Sequence, residues 1–288
     1  MATNFMIGGL KRARAAFAMV SPGEVRRRAA LPVCFGVVAG SEEAYAAMEE
    51  FLIPPEHSAA ARRALKESVW RANDPEAPGD VDLQLYEEGL PRPRGAFVFH
   101  AGDPARTVTE IISVRKDLEL ALASRFPVFR AQVAERSIRA ISQENALFAV
   151  ATALPDAIPS LAELPWSFGE FASDTAFITG NQLRMAFLLA AAHGKPVGYM
   201  EQKAELAAIA AGAFGWRALA RELVGKIPFG GGLIPKGAIA FAATYAIGKG
   251  LAHLYGTGKA MGRSELAPIF RQARRTGAAE VQANIHLR

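Results

Sequence analysis

Short, continuous apolar runs mark the first part of the chain, and apolar positions at helical spacing mark the rest. Leu31 to Val38 carries Val, Phe and Val after a charged stretch and reads as a buried strand. Ala39-Gly40 makes a turn and Ser41 is a helix N-cap. The Ala/Met/Glu-rich residues 42–51 then predict a helix that Pro54-Pro55 stops. His57 to Trp70 reads as a second helix, with Ala60, Ala64 and Leu65 on one side. The Pro/Asp/Gly-rich stretch Asn73 to Asp80 separates it from a short strand at Val81 to Tyr86, and Gly95 to His100 is another strand. A helix starts near Asp103-Pro104, with proline in its first turn. Strands alternating with helices predict a small α/β domain with a parallel sheet.

From about Asp117 the pattern is helical. Leu118, Leu122 and Phe126 are spaced by four, and Phe126-Pro-Val-Phe-Arg130 breaks and restarts the helix. Further helices are predicted over residues 130–154, Thr175 to His193, Met200 to Ile227 and Gly237 to Tyr255, with a proline-rich loop from Pro155 to Pro165. None carries the 18 to 20 uncharged residues of a simple membrane span; the 12 between Lys236 and Lys249 and the 11 between Glu205 and Arg217 fall short. Residues 226–255, with a Gly/Pro break in the middle, read either as a shallow re-entrant hairpin with snorkelling lysines or as a buried hairpin in a soluble bundle. Pro228, Pro235, Lys236 and Ala242 are its candidate contacts with lipid or a partner. The small residues Gly237, Ala238, Ala240, Ala242, Ala243 and Thr244 permit close helix approach in either case.

Composition sharpens this picture. The chain has 288 residues, room for about two domains, and 51% of them are hydrophobic. A mean hydropathy of +0.12 implies a large core or some contact with lipid. The single cysteine, Cys34, lies in the first apolar run, so no disulfide framework forms and a reducing interior is the expected compartment. Residues 1–30 hold Lys11, Arg12, Arg14, Arg26, Arg27 and Arg28 against the lone Glu24, which accounts for the whole net charge of +5. Phe5, Met6, Ile7, Leu10 and Phe17 surround the first basic cluster. That segment reads as a solvated first helix or as a basic amphipathic segment on an anionic membrane face. It lacks the clear apolar region and cleavage site of a secretory signal.

The strand-turn-helix at residues 31–51 has the shape of a P-loop without its chemistry. A P-loop reads G-x-x-x-x-G-K-[ST], because backbone N–H groups cradle phosphates while the lysine and hydroxyl complete the charge balance. Here Glu42 and Glu43 take the favourable end of the helix dipole and repel a triphosphate. No N-K-x-D guanine-reading segment occurs. Gly230 to Lys236 is a second glycine-rich stretch, but it follows a helix end rather than a strand and reads as a hinge. His57, His100, His193, His253 and His286 lack metal-ligand spacing, and no G-x-S-x-G elbow exists. Glu87-Glu88 reads as a solvated turn after a strand, and Cys34 as a core residue without a base. No catalytic, cofactor or metal residue is assigned, and no nucleic-acid partner is expected.

Three stretches carry a family resemblance: Glu144 to Pro159 (EN-A-x-F-A-x-A-x-A-L-P-x-x-I-P), Thr179 to Met185 (T-x-N-Q-x-x-M), and Arg221 to Pro228 (R-x-L-x-x-x-I-P) leading into Lys236 to Ala240 (K-G-x-I-A). Over roughly residues 125–258 they resemble the helical domain of unknown function number 697, which follows Era-type GTPase domains in some bacterial proteins and occurs in inner-membrane proteins. The resemblance implies that the preceding domain is a degenerate GTPase-like α/β domain. It also implies association with inner-membrane lipid and a GTPase partner. It transfers no ligand residue. Asn145, Asn181 and Gln182, polar residues on otherwise apolar helices, read as interhelical hydrogen-bond partners before substrate contacts.

The expected architecture is α/β plus all-α: a basic N-terminal helix over residues 1–24, a small parallel-sheet GTPase-like domain lacking the P-loop over 25–124, a helical bundle over 125–258 and a C-terminal tail over 259–288. The expected function is that of a non-catalytic, membrane-associated interaction protein with a pseudo-GTPase module, at the cytoplasmic face of the inner membrane. Two alternatives stand beside it: a soluble, cytoplasmic helical protein binding a small apolar ligand between its helices, and a hydrolase with an unrecognised site.

Overall fold

A computed structural model of the protein describes residues 21–55, 58–151, 174–211 and 233–286. They divide into two compact units, one built on Glu24–Ala134 with Ala191–Lys195, the other on Glu135–Ala190 and Pro196–Arg288.

The first unit holds four parallel strands, β1 (Phe35–Val38), β2 (Val69–Arg71), β3 (Leu83–Glu87) and β4 (Phe97–Phe99), in the order β2-β1-β3-β4. Helix α1 (Pro22–Ala29) precedes the sheet, and α2 (Glu42–Leu52) and α3 (Ala59–Lys66) carry the chain from β1 to β2. After β4 come α4 (Pro104–Val114), capped by the Asp103 carboxylate accepting from the Arg106 N–H at 3.2 Å, and α5 (Glu119–Arg125). Strands and helices alternate only in part. Residues 72–82 and 88–96 join β2 to β3 and β3 to β4 without a helix, and Gly89 and Gly95, at φ 93° and 88°, turn the second connection.

Two further expectations are corrected. The helix read over His57 to Trp70 ends at Lys66, and Val69-Trp70-Arg71 pairs with Phe35-Gly36-Val37 as a strand. Three residues, two of them β-favouring, are too few to show a period of two, so only the pairing reveals them. Strand β1 begins at Phe35 rather than Leu31, downstream of Pro32, which has no N–H to give a ladder. Cys34 is therefore half-buried at the start of the strand and not in the core; its backbone N–H donates to the Asp82 carboxylate at 2.8 Å. Phe35, fully buried, meets Phe126 edge-on at 5.1 Å and stacks on Phe129 at 6.2 Å. Val81 closes over the bare backbone of Gly36, where a Cβ would stand 3.0 Å from its methyl.

The second unit is helical: α6 (Arg130–Ala151) from Glu135 onward, α7 (Asp174–Ala192) as far as Ala190, α8 (Lys203–Ala211), α9 (Leu233–Thr257) and α10 (Arg263–His286). The stretch read as a C-terminal tail thus contains a 24-residue helix. Helix α9 is packed closely against its neighbours. A Cβ on Gly237 would clash with Val150 of α6 and Val281 of α10, one on Gly248 with Ile138 of α6 and Met185 of α7, and one on Gly277 of α10 with Phe241 of α9. Glycine at these three points lets the backbones approach, and buried Phe241, Ala242, Ala246 and Leu251 fill the space between.

Pro228 lies outside the described residues, as does the rest of the stretch before Leu233. From Leu233 the chain is one continuous helix, with Pro235 in the first turn where no intrahelical N–H is required. Pro235 is half-buried and Lys236 exposed. The assignment of Ala242 as a lipid or partner contact is overturned: it has no exposed surface, because α9 is packed on three of its sides. No described helix is long and apolar enough to cross a membrane.

Candidate functional site

In an open parallel sheet, ligands bind beyond the carboxyl ends of the strands, where the chain order switches direction. Here that point lies between β1 and β3, next to the Ala39-Gly40-Ser41 turn that opens α2. The Gly40 N–H, which would face a phosphate in a nucleotide site, donates to the Glu87 carboxylate at 2.7 Å. A Cβ on Gly40 would stand 3.3 Å from that carboxylate, so the bare glycine gives it room. The Ser41 hydroxyl accepts from the Ala44 N–H at 3.1 Å, which occupies a second donor of the helix end. Glu42, at the start of α2, is gripped by the guanidinium of Arg71 from the end of β2, and this contact holds its carboxyl below the ordinary range. Arg71 also lies over the Tyr45 ring, 3.9 Å from its centre. The crevice is therefore furnished with the chain's own anions.

Glu87-Glu88, expected to be a solvated turn, has defined partners. Glu88 reaches His100 Nδ1 at 3.2 Å, while Glu110 of α4 reaches Nε2 of the same ring at 3.3 Å. His100 is itself buried, and its backbone N–H donates to the Thr107 hydroxyl at 2.9 Å. The ring thus ties the β3–β4 connection to α4. Burial opposes the charge on Glu110, but Arg106 and His100 outweigh it and lower its pKa. Among the described residues no three His, Cys, Asp or Glu side chains converge as a metal site. Burial first, then the Asp82 charge, pushes the Cys34 thiol up, away from nucleophilic use.

In the helical unit the polar residues picked out on apolar helices meet. Asn181 of α7 donates to the Asn145 carbonyl oxygen at 2.9 Å, and Asn145 of α6 donates to the Thr244 hydroxyl of α9 at 2.9 Å. All three are buried, so the chain of amides ties three helices together through groups that must find partners. Beside them in sequence, Glu144 of α6 pairs with Arg184 of α7. Gln182 is buried next to Asn181. Asn145 and Asn181 thus bond between helices of the bundle.

A second constellation was not visible in the sequence. On α6, Glu135 accepts from the Tyr245 hydroxyl at 2.8 Å and from Arg139 Nε at 2.6 Å, and it lies 3.4 Å from Lys249 Nζ. Burial alone would raise its pKa; the Tyr245 and Arg139 hydrogen bonds and the Lys249 charge outweigh it and hold the carboxylate below the ordinary range. The Tyr245 hydroxyl is pushed up to about 12 by burial and by Glu135. Arg139 also approaches Glu280 of α10 at 3.7 Å. Beside this cluster lies a groove of about 240 Å³, formed by residues of α6, α9 and α10. The only sequence signal is a pair of four-residue spacings, Glu135 to Arg139 and Tyr245 to Lys249. Nothing in either pair says that it faces the other. No protein-family model, curated protein or solved structure matches the chain.

Proposed function

We propose that this is a non-catalytic interaction protein: a GTPase-like α/β unit without a phosphate site, joined to a helical unit, working at the cytoplasmic face of the inner membrane beside a GTPase partner. The observation that supports it most is the Glu87 carboxylate on the Gly40 N–H at 2.7 Å. An anion fixed in the phosphate position, with Glu42 and Glu43 in the first turn of α2, opposes a nucleotide both sterically and by charge. Arg71 offsets the charge of Glu42, and the Glu87 carboxylate remains on the Gly40 N–H. The membrane part of the reading rests on the basic residues 1–30 and on the resemblance of the helical stretch; the partner rests on the resemblance. In this reading the basic residues attach to the surface of an anionic bilayer.

Co-sedimentation with anionic vesicles, with and without Mg-GTP, tests the reading. The protein is expected to pellet with the vesicles at about 0.05 M salt and to be released at about 0.5 M, since exposed charges are screened beyond a few ångströms there. Added nucleotide is expected to change nothing, and removal of residues 1–20 to weaken binding. Pelleting that ignores lipid charge and truncation, or that depends on Mg-GTP, would reject it.

A further inference from the structure

The groove of the helical unit has a composition that the proposed function does not use. Its floor is apolar: the Phe241 and Tyr245 rings are stacked at 5.8 Å with their planes 11° apart, and Ile269 lines the wall opposite them in sequence, on α10. Its polar lining among the described residues is Arg139, Lys249, Gln272 and Thr276, two cations and two neutral hydrogen-bonding groups, with no carboxylate among them.

The cations keep unused capacity. Lys249 directs one contact at Glu135 and that contact is long, at 3.4 Å, so an ammonium with three protons retains two. Arg139 gives Nε to Glu135 and approaches Glu280 with Nη1 at 3.7 Å, leaving further guanidinium protons. Glu135 is shared by both cations and by Tyr245, and it stands outside the lining. An occupant of the groove therefore meets two cations that share Glu135 on their far side, Arg139 also having Glu280 at 3.7 Å, and reaches the protons those carboxylates leave unused. At about 30 Å³ per water the volume corresponds to about eight waters, the size of a single ring with one substituent.

We infer that this groove binds a small organic anion, a flat apolar ring or short acyl body carrying one carboxylate, with the body on Phe241 and Tyr245 and the carboxylate between Arg139 and Lys249. Arginine favours a carboxylate through its planar fork, and the lysine supplies a second positive point. The inference is independent of the reading of the α/β unit.

Benzoate and its neutral isostere benzamide are the probes, titrated against the full chain by ligand-observed NMR. Benzoate is expected to bind saturably with a Kd of a few millimolar, about tenfold or more tighter than benzamide. Raising salt from about 0.05 to 0.5 M is expected to weaken benzoate several-fold and leave benzamide unchanged. Lys249→Gln, at a side chain 41% exposed, is expected to reduce benzoate affinity about fivefold to tenfold. Thr276→Phe, which fills the groove from α10, is expected to abolish binding. Circular dichroism establishes that each variant is folded, and the salt and benzamide arms need no variant. Equal affinity for the two probes, no saturation by benzoate up to about 20 mM, or an unchanged affinity in folded Lys249→Gln overturns the inference.

Discussion

Replacing Asn145 with alanine should cost the helical unit more than any other single change to a polar residue there. Asn145 has no exposed surface, and it joins Asn181 on one side to Thr244 on the other, each at 2.9 Å. The change removes two hydrogen bonds worth about 1 kcal/mol each in net terms, and it strips a partner from each of two buried groups at about 1–3 kcal/mol apiece. Allowing for relaxation and for bonds that Thr244 regains within its own helix, the loss should be about 2–5 kcal/mol. For a unit of this size that is a fall in Tm of roughly 4–20 °C, at about 2–4 °C per kcal/mol. Asn181→Ala removes one of the two bonds and should cost about half as much. The triple change Asn145→Leu, Asn181→Leu, Thr244→Val removes every partner together and should recover most of the loss, since an apolar replacement leaves nothing unsatisfied. Scanning calorimetry of these three variants and of the double variant Asn145→Ala, Asn181→Ala closes the cycle. If Asn145→Ala and Asn181→Ala each cost under about 0.5 kcal/mol, or their effects are additive with no coupling, the amide chain does not hold the helices together.

Glu135→Gln should flatten the acid limb of the stability curve. Its carboxyl is held below the ordinary value in the folded protein, so its stabilisation is fully present above the unfolded value near 4.3 and is lost as pH falls through the lower, folded one. Urea unfolding of both proteins between about pH 6 and pH 3 measures the difference, which should shrink towards the acid end; a constant difference contradicts it. Ala242→Arg should unfold the helical unit, because a fully buried position has no place for a charge and the loss should exceed about 3 kcal/mol. A folded, soluble Ala242→Arg protein would show that α9 is not enclosed.

Where local chemistry decides the structure, the sequence is readable. Ser41 and Asp103 cap their helices as their residue types require, Pro104 opens a helix, and Pro54-Pro55 closes one. Asn145 and Asn181 stand out because an amide on an apolar helix has to find a partner, and each is the other's. What stays hidden depends on pairing across long separations. Strand β2 is three residues long and gains its identity from Phe35 to Val37 rather than from its own pattern. Ala242 looks available to lipid by composition and is buried because Gly237, Gly248 and Gly277 bring neighbouring helices within reach. Glu87 is an ordinary acidic residue after a strand until the turn at Gly40, 47 residues earlier, is set beside it. The Glu135 cluster draws on residues more than a hundred positions apart, and no local rule joins them.

The central claim is that the Gly40 amide already holds an anion belonging to the chain. The resonance of that amide in a ¹⁵N–¹H correlation spectrum of the full chain tests it most directly. A hydrogen bond of 2.7 Å to a carboxylate should displace the Gly40 proton downfield. Glu87→Ala should move it back upfield, and Mg-GTP at about 1 mM should leave the wild-type resonance where it is. A Gly40 resonance indifferent to Glu87→Ala, or one that shifts saturably with micromolar Mg-GTP, would contradict the account.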